Sequence, residues 1–445
     1  MSGIGGTGGL RRGHTRADFL RVGGGAVAGA LAMGLVGCGG GDSAGGTRLR
    51  MTWWGEQGRH RRTQEALRVF EKKNPGVEIA TELSGGDGYF EKLVTQATGG
   101  NAPDVFQSEP NQFAELSQRG GILLELDRFV PDLLSVEGWP EETLDLDRVG
   151  GKLLGVPLGL NSFMFIYDAA AFQKAGVREA DEGWTWEDFE RITTDVGRSS
   201  GGEYFGTEDT GGDGYVLEVW VRQRGRELFT EDGRLGFEKS DLADWWEFWD
   251  RLRESGAAVP AEVQALSTGD VTDTPLVTGK AAAEFDFSNR LIAFSGLVDK
   301  GLGHNVIPNG PSGSRYGMYL RPALTMCAYS RTEYPEEATK VMNALVNVPD
   351  VARPLGTERG VPPSPEIREF LLPDMEEMER EIVAYVERVA EEQVPMTIQR
   401  PVNVGEVLAD TGSLLERTSQ DIAFGRTSID EGVDRFFEEA GRILS

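Results

Sequence analysis

Two cysteines and three histidines in 445 residues leave little room for thiol or imidazole chemistry. His14, His60 and His304 lie far apart, with no second ligand at metal spacing, so no metal site is expected. Cysteine–histidine or serine–histidine catalysis is equally poorly supplied. Cys38 and Cys327 are too few for a disulfide framework, and stability must come from core packing. Basic charge is short as well: 45 Lys and Arg stand against 72 Asp and Glu, a net charge of -27. That balance argues against nucleic acid, whose phosphates demand a basic face. It also argues against direct binding to anionic lipid headgroups. No Walker-type Gly-Lys-Ser/Thr is present, and Gly310-Pro-Ser-Gly-Ser314 misses the spacing of a nucleophile elbow. Neither a catalytic constellation nor a cofactor is therefore expected. Carboxylates are abundant, so a glycosidase pair stays open on composition.

A long apolar run is missing too. The stretch Val22–Val36 is too short and too rich in glycine for a comfortable membrane-spanning helix. It follows a positive region with Arg11, Arg12, Arg16 and Arg21, and it ends in Leu35-Val36-Gly37-Cys38. That tetrad resembles the lipobox of bacterial lipoproteins. The resemblance implies diacylation of Cys38, which would become the mature N-terminus; the alternative is an ordinary signal peptide with an incidental cysteine. Thr15–Arg21 resembles a twin-arginine export motif with Ala17 where the second arginine belongs, which leaves the Sec and twin-arginine routes open. Residues 39–47 read as a flexible Gly/Ser tether.

Beyond the tether, strand and helix patterns alternate. Leu49, Met51 and Trp53 share one face of a strand that ends in Trp54-Gly55. Ala66, Leu67, Val69 and Phe70 form a helical stripe stopped by Asn74-Pro75-Gly76. A strand over Val77–Leu83, a helix from Tyr89, a short strand after Asp104 and a helix from Phe113 follow. Such alternation predicts a mostly parallel sheet of α/β type, with ligands beyond the carboxyl ends of its strands. Gly155, Pro157 and Gly159 are expected to interrupt regular structure before a strand carrying Phe163, Phe165 and Tyr167. Thr185 and Asp188 read as a capping box, as do Ser428 and Glu431. Leu242, Trp245, Trp246, Trp249 and Leu252 recur at helical spacing and are assigned to a core. Cys327, in an apolar run, reads as a small buried hydrophobe.

The order of short pieces carries more than any one of them. Trp53-Trp54-Gly55, Phe70-Glu-Lys-Lys-Asn74-Pro-Gly76, Glu91-Lys-Leu93, Gly100-Asn-Ala-Pro-Asp-Val105 and Gly120-Gly-Ile-Leu-Leu-Glu-Leu126 resemble, in this order, family 1 of the extracellular solute-binding proteins. The step Thr185-Trp-Glu-Asp-Phe189, the segment Gly279-Lys-Ala-Ala-Ala283 and the helix from Pro335 match later parts of the pattern, with Ala283 in place of the family's Met. The resemblance covers nearly all of the chain after the tether. It implies an α/β, periplasmic-binding-protein-like (type II) fold of two lobes with a ligand cleft between them. It also implies a monomer that serves ABC permease subunits, touching the membrane only through its lipid, on the extracytoplasmic face.

The implied organisation is a signal peptide over 1–38, the tether over 39–47, and two lobes. One lobe takes 48–157 plus about 313–355, the other 158–312 plus about 356–445, with crossovers near Pro157, Ser312 and Gly360. The family is dominated by carbohydrate binders, so a sugar or oligosaccharide is the expected ligand. Alternatives are an extracellular glycan-active hydrolase and a sensor reporting to a membrane kinase. Sugar sites combine planar aromatics with carboxylates, amides and arginine. Residues at strand ends and crossovers then single out Trp54, Glu56 and Arg59, Glu109 and Asn111, Asn161, Tyr215 and Trp220, Asp286 and Asn289, and Arg359. Trp186 is read as a packing residue.

Overall fold

The computed structural model describes residues 46–445 apart from Asp87, Leu146, 178–182, Lys300, 312–315, 396–399 and Asp410. Cys38, the lipobox and residues 39–45 of the tether lie outside the described residues, as does Ser312. Ten strands run through the rest: β1 (Thr47–Trp54), β2 (Val77–Ser84), β3 (Val105–Ser108), β4 (Arg148–Val149), β5 (Lys152–Leu153), β6 (Val156–Asn161), β7 (Phe163–Asp168), β8 (Ala283–Phe287), β9 (Leu302–Asn305) and β10 (Arg321–Ala328).

Lobe 1 is built on a five-stranded sheet of order β2-β1-β3-β10-β6. β1 pairs in parallel with β2 and with β3, because a helix returns the chain between them. β10 runs antiparallel to both β3 and β6, so the sheet is mixed rather than mostly parallel. The reason is the route: β10 arrives from the other lobe, not through a helical crossover within this one. Leu49, Met51 and Trp53 point into one core with Leu67, Phe70, Met342 and Leu345.

β6 corrects the expected break. It runs through Pro157 and Gly159 as one edge strand of the sheet, although its register against β10 shifts there. Pro157 is tolerated there because an edge strand needs hydrogen bonds on one side only. Gly159 is required for another reason. A Cβ at this position would strike the carbonyl of Arg359, where Leu160 and Val361 form an isolated bridge. Ser162 alone separates β6 from β7, so the chain changes sheets in a single residue.

Lobe 2 centres on the antiparallel sheet β8-β7-β9. Its core is aromatic. The helix Lys239–Ser255 buries Leu242, Trp245, Trp246, Trp249 and Leu252, each at most 1% exposed, as its periodicity predicts. The indole N–H groups of Trp245 and Trp246 both donate to the Gly211 carbonyl at 3.0 Å, which fixes the loop before the next helix. Both expected capping boxes form, at Thr185 with Asp188 and at Ser428 with Glu431. Cys327 is a free thiol, fully buried in lobe 1, and burial pushes its pKa up.

Candidate functional site

Two strand ends of lobe 1, those of β1 and β3, and the segment after Leu355 form one polar ledge. β1 ends at Trp54, which is half-buried and rests on the Tyr89 ring, 4.8 Å between centroids. Glu56 caps the next helix and is exposed. One turn on, Arg59 pairs with Glu358 at 2.6 Å. Arg359 is buried. Its guanidinium donates to Gln107 Oε1 at 2.9 Å, to Thr63 Oγ1 at 2.8 Å and to Glu358 at 3.1 Å. Burial holds Arg359 below the usual arginine range, at about 10. Glu109 caps the helix Pro110–Gln118, whose Gln112 side chain bonds back to the Glu109 N–H. Asn111, on the first turn, has a buried Oδ1 without a partner among the described residues.

At the junction of the lobes, Asn161 is the last residue of β6 and is 5% exposed. Its Nδ2 donates to Asn289 Oδ1 at 3.0 Å, while its Oδ1 has no partner among the described residues. Next to it, Phe163 stacks on Tyr215 at 5.3 Å and meets Phe287 edge-on at 4.4 Å. The Arg321 guanidinium lies over Tyr215 and Phe287, 4.7 and 4.8 Å from their centroids. Tyr215 owes its place to Asp213, which caps the helix Gly214–Gln223 by accepting from the N–H groups of Tyr215 and Val216. Gly214 must lack a side chain, since a Cβ would meet the Leu408 backbone.

Beside these rings lies a cavity of about 390 Å³, within the range of small-molecule sites. Phe163, Tyr215 and Phe287 contribute its aromatic wall, and Thr210, Gln264, Ser267 and Thr268 add hydroxyl and amide groups. Its carboxylates are Glu208, Asp209, Asp213, Glu284, Asp286 and Glu416. Glu284 and Asp286 alternate on β8 with Phe285 and Phe287, so period two sends both to the same face. Glu208 accepts from the Phe285 N–H at 2.7 Å, and Glu284 from the Leu276 N–H at 3.1 Å. Burial first, then the neighbouring Asp286, pushes Glu284 up to about 8. Burial likewise raises Asp213 and Asp286 to about 6, and it raises Glu208 well above the carboxylate range. Among the described residues, no group of three or more His, Cys, Asp or Glu side chains is arranged to hold a metal ion.

Of the eleven ligand-binding residues expected from the sequence, the structure puts Tyr215 and Asp286 on the cavity wall. Trp54, Arg59 and Arg359 gather on the lobe 1 ledge, and Asn161 and Asn289 pair at the junction. Trp220 is corrected. It is 5% exposed, packs edge-on against Trp186 and Trp245, and donates to the Asp241 carbonyl, so it is a core residue. Arg359 is likewise occupied inside the protein by its three bonds. The residues missed are Phe163, Glu208, Asp213, Glu284, Phe287, Arg290 and Glu416.

Two sheets joined by one-residue passage, with aromatic and polar walls at their junction, define a two-lobed solute-binding protein of mixed α/β build. The chain belongs to the bacterial extracellular solute-binding protein family, whose model matches residues 65–374. It is similar to the structure of an extracellular solute-binding protein family 1 member from Alicyclobacillus acidocaldarius, at 28% identity and a TM-score of 0.75, over 91% of this chain and 100% of that one. A periplasmic oligogalacturonide binding protein from Yersinia enterocolitica shares the fold at 22% identity and a TM-score of 0.74, over 89% and 99% of the two chains. An ABC substrate-binding protein from Listeria monocytogenes, in complex with cycloalternan, shares it at 17% identity and a TM-score of 0.70, over 89% and 98%. No helix among the described residues is long and apolar enough to cross a membrane.

Proposed function

We propose that this protein is the extracytoplasmic substrate-binding component of an ABC importer, capturing a sugar or oligosaccharide between its lobes and delivering it to permease subunits. The observation that carries the ligand class is the lobe 2 cavity of about 390 Å³ in which aromatic rings stand beside carboxylates, hydroxyls and an amide. Sugars present apolar C–H faces and hydroxyl rims, and that combination answers both. An oligogalacturonide binding protein and a cycloalternan complex that share this fold support the ligand class. The first hinge is assigned to Ser162 rather than Pro157, since Pro157 lies inside β6. Cys38 is assigned as the lipid anchor on the residues around it.

A thermal-shift screen against a sugar library tests the ligand class, because a ligand of the native state raises stability by mass action. Small-angle scattering with and without the sugar so found tests closure. An unchanged curve at saturating ligand means the lobes do not close, and the inter-lobe reading falls. Cys38→Ala should release the protein from membranes with its folded domain intact; wild type that stays soluble as one mature species removes the lipid assignment.

A second reading has its own observation. Several carboxylates with raised pKa values in one cavity also suit acid–base hydrolysis of a glycoside. Turnover of chromogenic glycosides, abolished by Glu284→Gln, would replace the binding role with a hydrolase; its absence at saturating substrate leaves the importer component.

A further inference from the structure

We propose that the solute is an amine-bearing sugar, whose ammonium group is received by the carboxylates of the lobe 2 cavity. This rests on the cavity being the solute site, as argued above.

The charges facing the cavity can be followed one by one. Asp209 is matched by Arg253 at 2.6 Å, and Asp286 by Arg290 at 3.2 Å. Glu208, Asp213, Glu284 and Glu416 also line the cavity, and none of them makes an ion pair among the described residues. Among the described residues, Arg290 is the one cationic side chain on the lining, and it pairs with Asp286. Arg321 lies behind the rings of Tyr215 and Phe287, where its field bears on Asp213 without closing a pair. Arg400 lies 5.4 Å from the Tyr215 ring and is committed to Glu218, on the far side of the same helix wall.

Glu284 makes the case most directly. It is 1% exposed, it opens onto the cavity, and its hydrogen bonds come from neutral groups only, the Leu276 N–H and the Thr274 side chain. An ionised carboxylate held out of water costs several kcal/mol unless a cation answers it. Burial therefore favours the protonated form, raising Glu284 to about 8 and Glu208 well above the usual carboxylate range. An entering ammonium supplies the missing cation and displaces a proton.

The aromatic wall fits the same ligand. Faces of Phe163, Tyr215 and Phe287 accept apolar ring C–H groups, and an aromatic face also attracts a cation. A uronic acid would meet the opposite situation, since its carboxylate brings no cation to the buried carboxyl groups and adds a negative charge to a site whose Arg290 is already engaged. The cavity thus separates this protein's ligand from an oligogalacturonide even though the two proteins share a fold.

The test is titration calorimetry of the full-length protein at pH 6.5 with four probes: glucosamine oligomers, their N-acetylated forms, cello-oligosaccharides and digalacturonic acid. The expected result is glucosamine oligomers binding at least about tenfold more tightly than either neutral series, with digalacturonic acid weakest. Glu284→Gln should erase most of that preference. Should that variant not fold, Glu416→Gln at the rim should reduce the preference by about threefold, within the range for a partly solvated charge. Equal or tighter binding of neutral or acidic sugars overturns the inference and leaves the carbohydrate reading standing. Binding of a linear alkyl diamine, run as a fifth probe, with no binding of any sugar also overturns the inference. Failure of every amine-bearing probe to bind overturns the inference.

Discussion

Arg359 on the lobe 1 ledge and Glu284 in the lobe 2 cavity are both charged groups taken almost completely out of water, 5% and 1% exposed. Arg359 finds a protein oxygen for each of its nitrogens, on Gln107, Thr63 and Glu358. Glu284 finds only neutral hydrogen-bond donors, with Arg290 acting on it from a distance and paired to Asp286. The first arrangement is complete in itself and makes a fixed wall. The second is incomplete, and what it lacks is what a ligand can bring. One lobe positions and the other selects.

The largest expected effect sharpens the comparison inside lobe 2 itself. Glu218 accepts from the Tyr319 hydroxyl at 2.5 Å and from Arg400, a closed buried cluster close to the open one. Glu218→Ala strands the Arg400 cation, and about 3–5 kcal/mol of stability should be lost in urea unfolding. A loss under about 1 kcal/mol would mean that Arg400 reaches water after all. Arg359→Met comes next. It leaves Gln107 and Thr63 without their buried donor, for about 1–3 kcal/mol each at most. No change in unfolding midpoint would break the view of the ledge as a closed network.

Trp54→Ala should act on binding instead of folding. The ring is half-buried, and stacking on a sugar face contributes about 1–3 kcal/mol, so affinity for the ligand found by screening should fall about tenfold to a hundredfold. Unchanged affinity would confine the solute to lobe 2.

The smallest effect is a slope with pH. Burial pushes Glu284 up to about 8, Asp213 and Asp286 to about 6, and Asp147 of lobe 1, bonded only to Thr325, to about 7. Each lies above the unfolded carboxylate value of about 4, so the native state holds more protons than the unfolded chain. Their contribution is fully present below about pH 4 and is lost as pH rises through the 6–8 window. The ligand-free melting temperature should therefore fall from pH 5 to pH 8.5. Asp147→Asn should flatten the slope around pH 7, and Glu284→Gln above it. A melting temperature that climbs over this range would place these groups in water.

Much of this architecture was legible because it is local. The tryptophan stripe of Lys239–Ser255 follows from helical spacing, and the caps at Thr185 and Ser428 follow from residue types three apart. Tyr215 and Asp286 line the cavity from a helix start and a strand end, positions that the sequence marks. Glu284 carried a signal too, since two residues before Asp286 on a strand means the same face. Glu208 and Glu416 carried none: they reach the cavity from segments far apart in the chain. Strand direction was also hidden. Nothing in Arg321–Ala328 says that it enters between β3 and β6, and Pro157 reads as a breaker until the strand is known to be at an edge. Trp220 misled for a related reason, since an indole on a helix looks the same in sequence whether it faces a cleft or a core.

The place of β10 between β3 and β6 sets an order of events as the chain is synthesised. A chain that emerges N-terminus first presents β3 and β6 long before β10, with the lobe 2 sheet strands β7, β8 and β9 coming between. Until then the two halves of the lobe 1 sheet have no strand to join them, and each exposes an open edge that can pair with another chain. Lobe 2 sheet strands are contiguous in the sequence between β6 and β10, and they can assemble first. The nascent protein is therefore most vulnerable to aggregation while its second lobe is being delivered. A substitution that slows lobe 2 would prolong the exposure of lobe 1, so a defect in one half would surface as misassembly of the other.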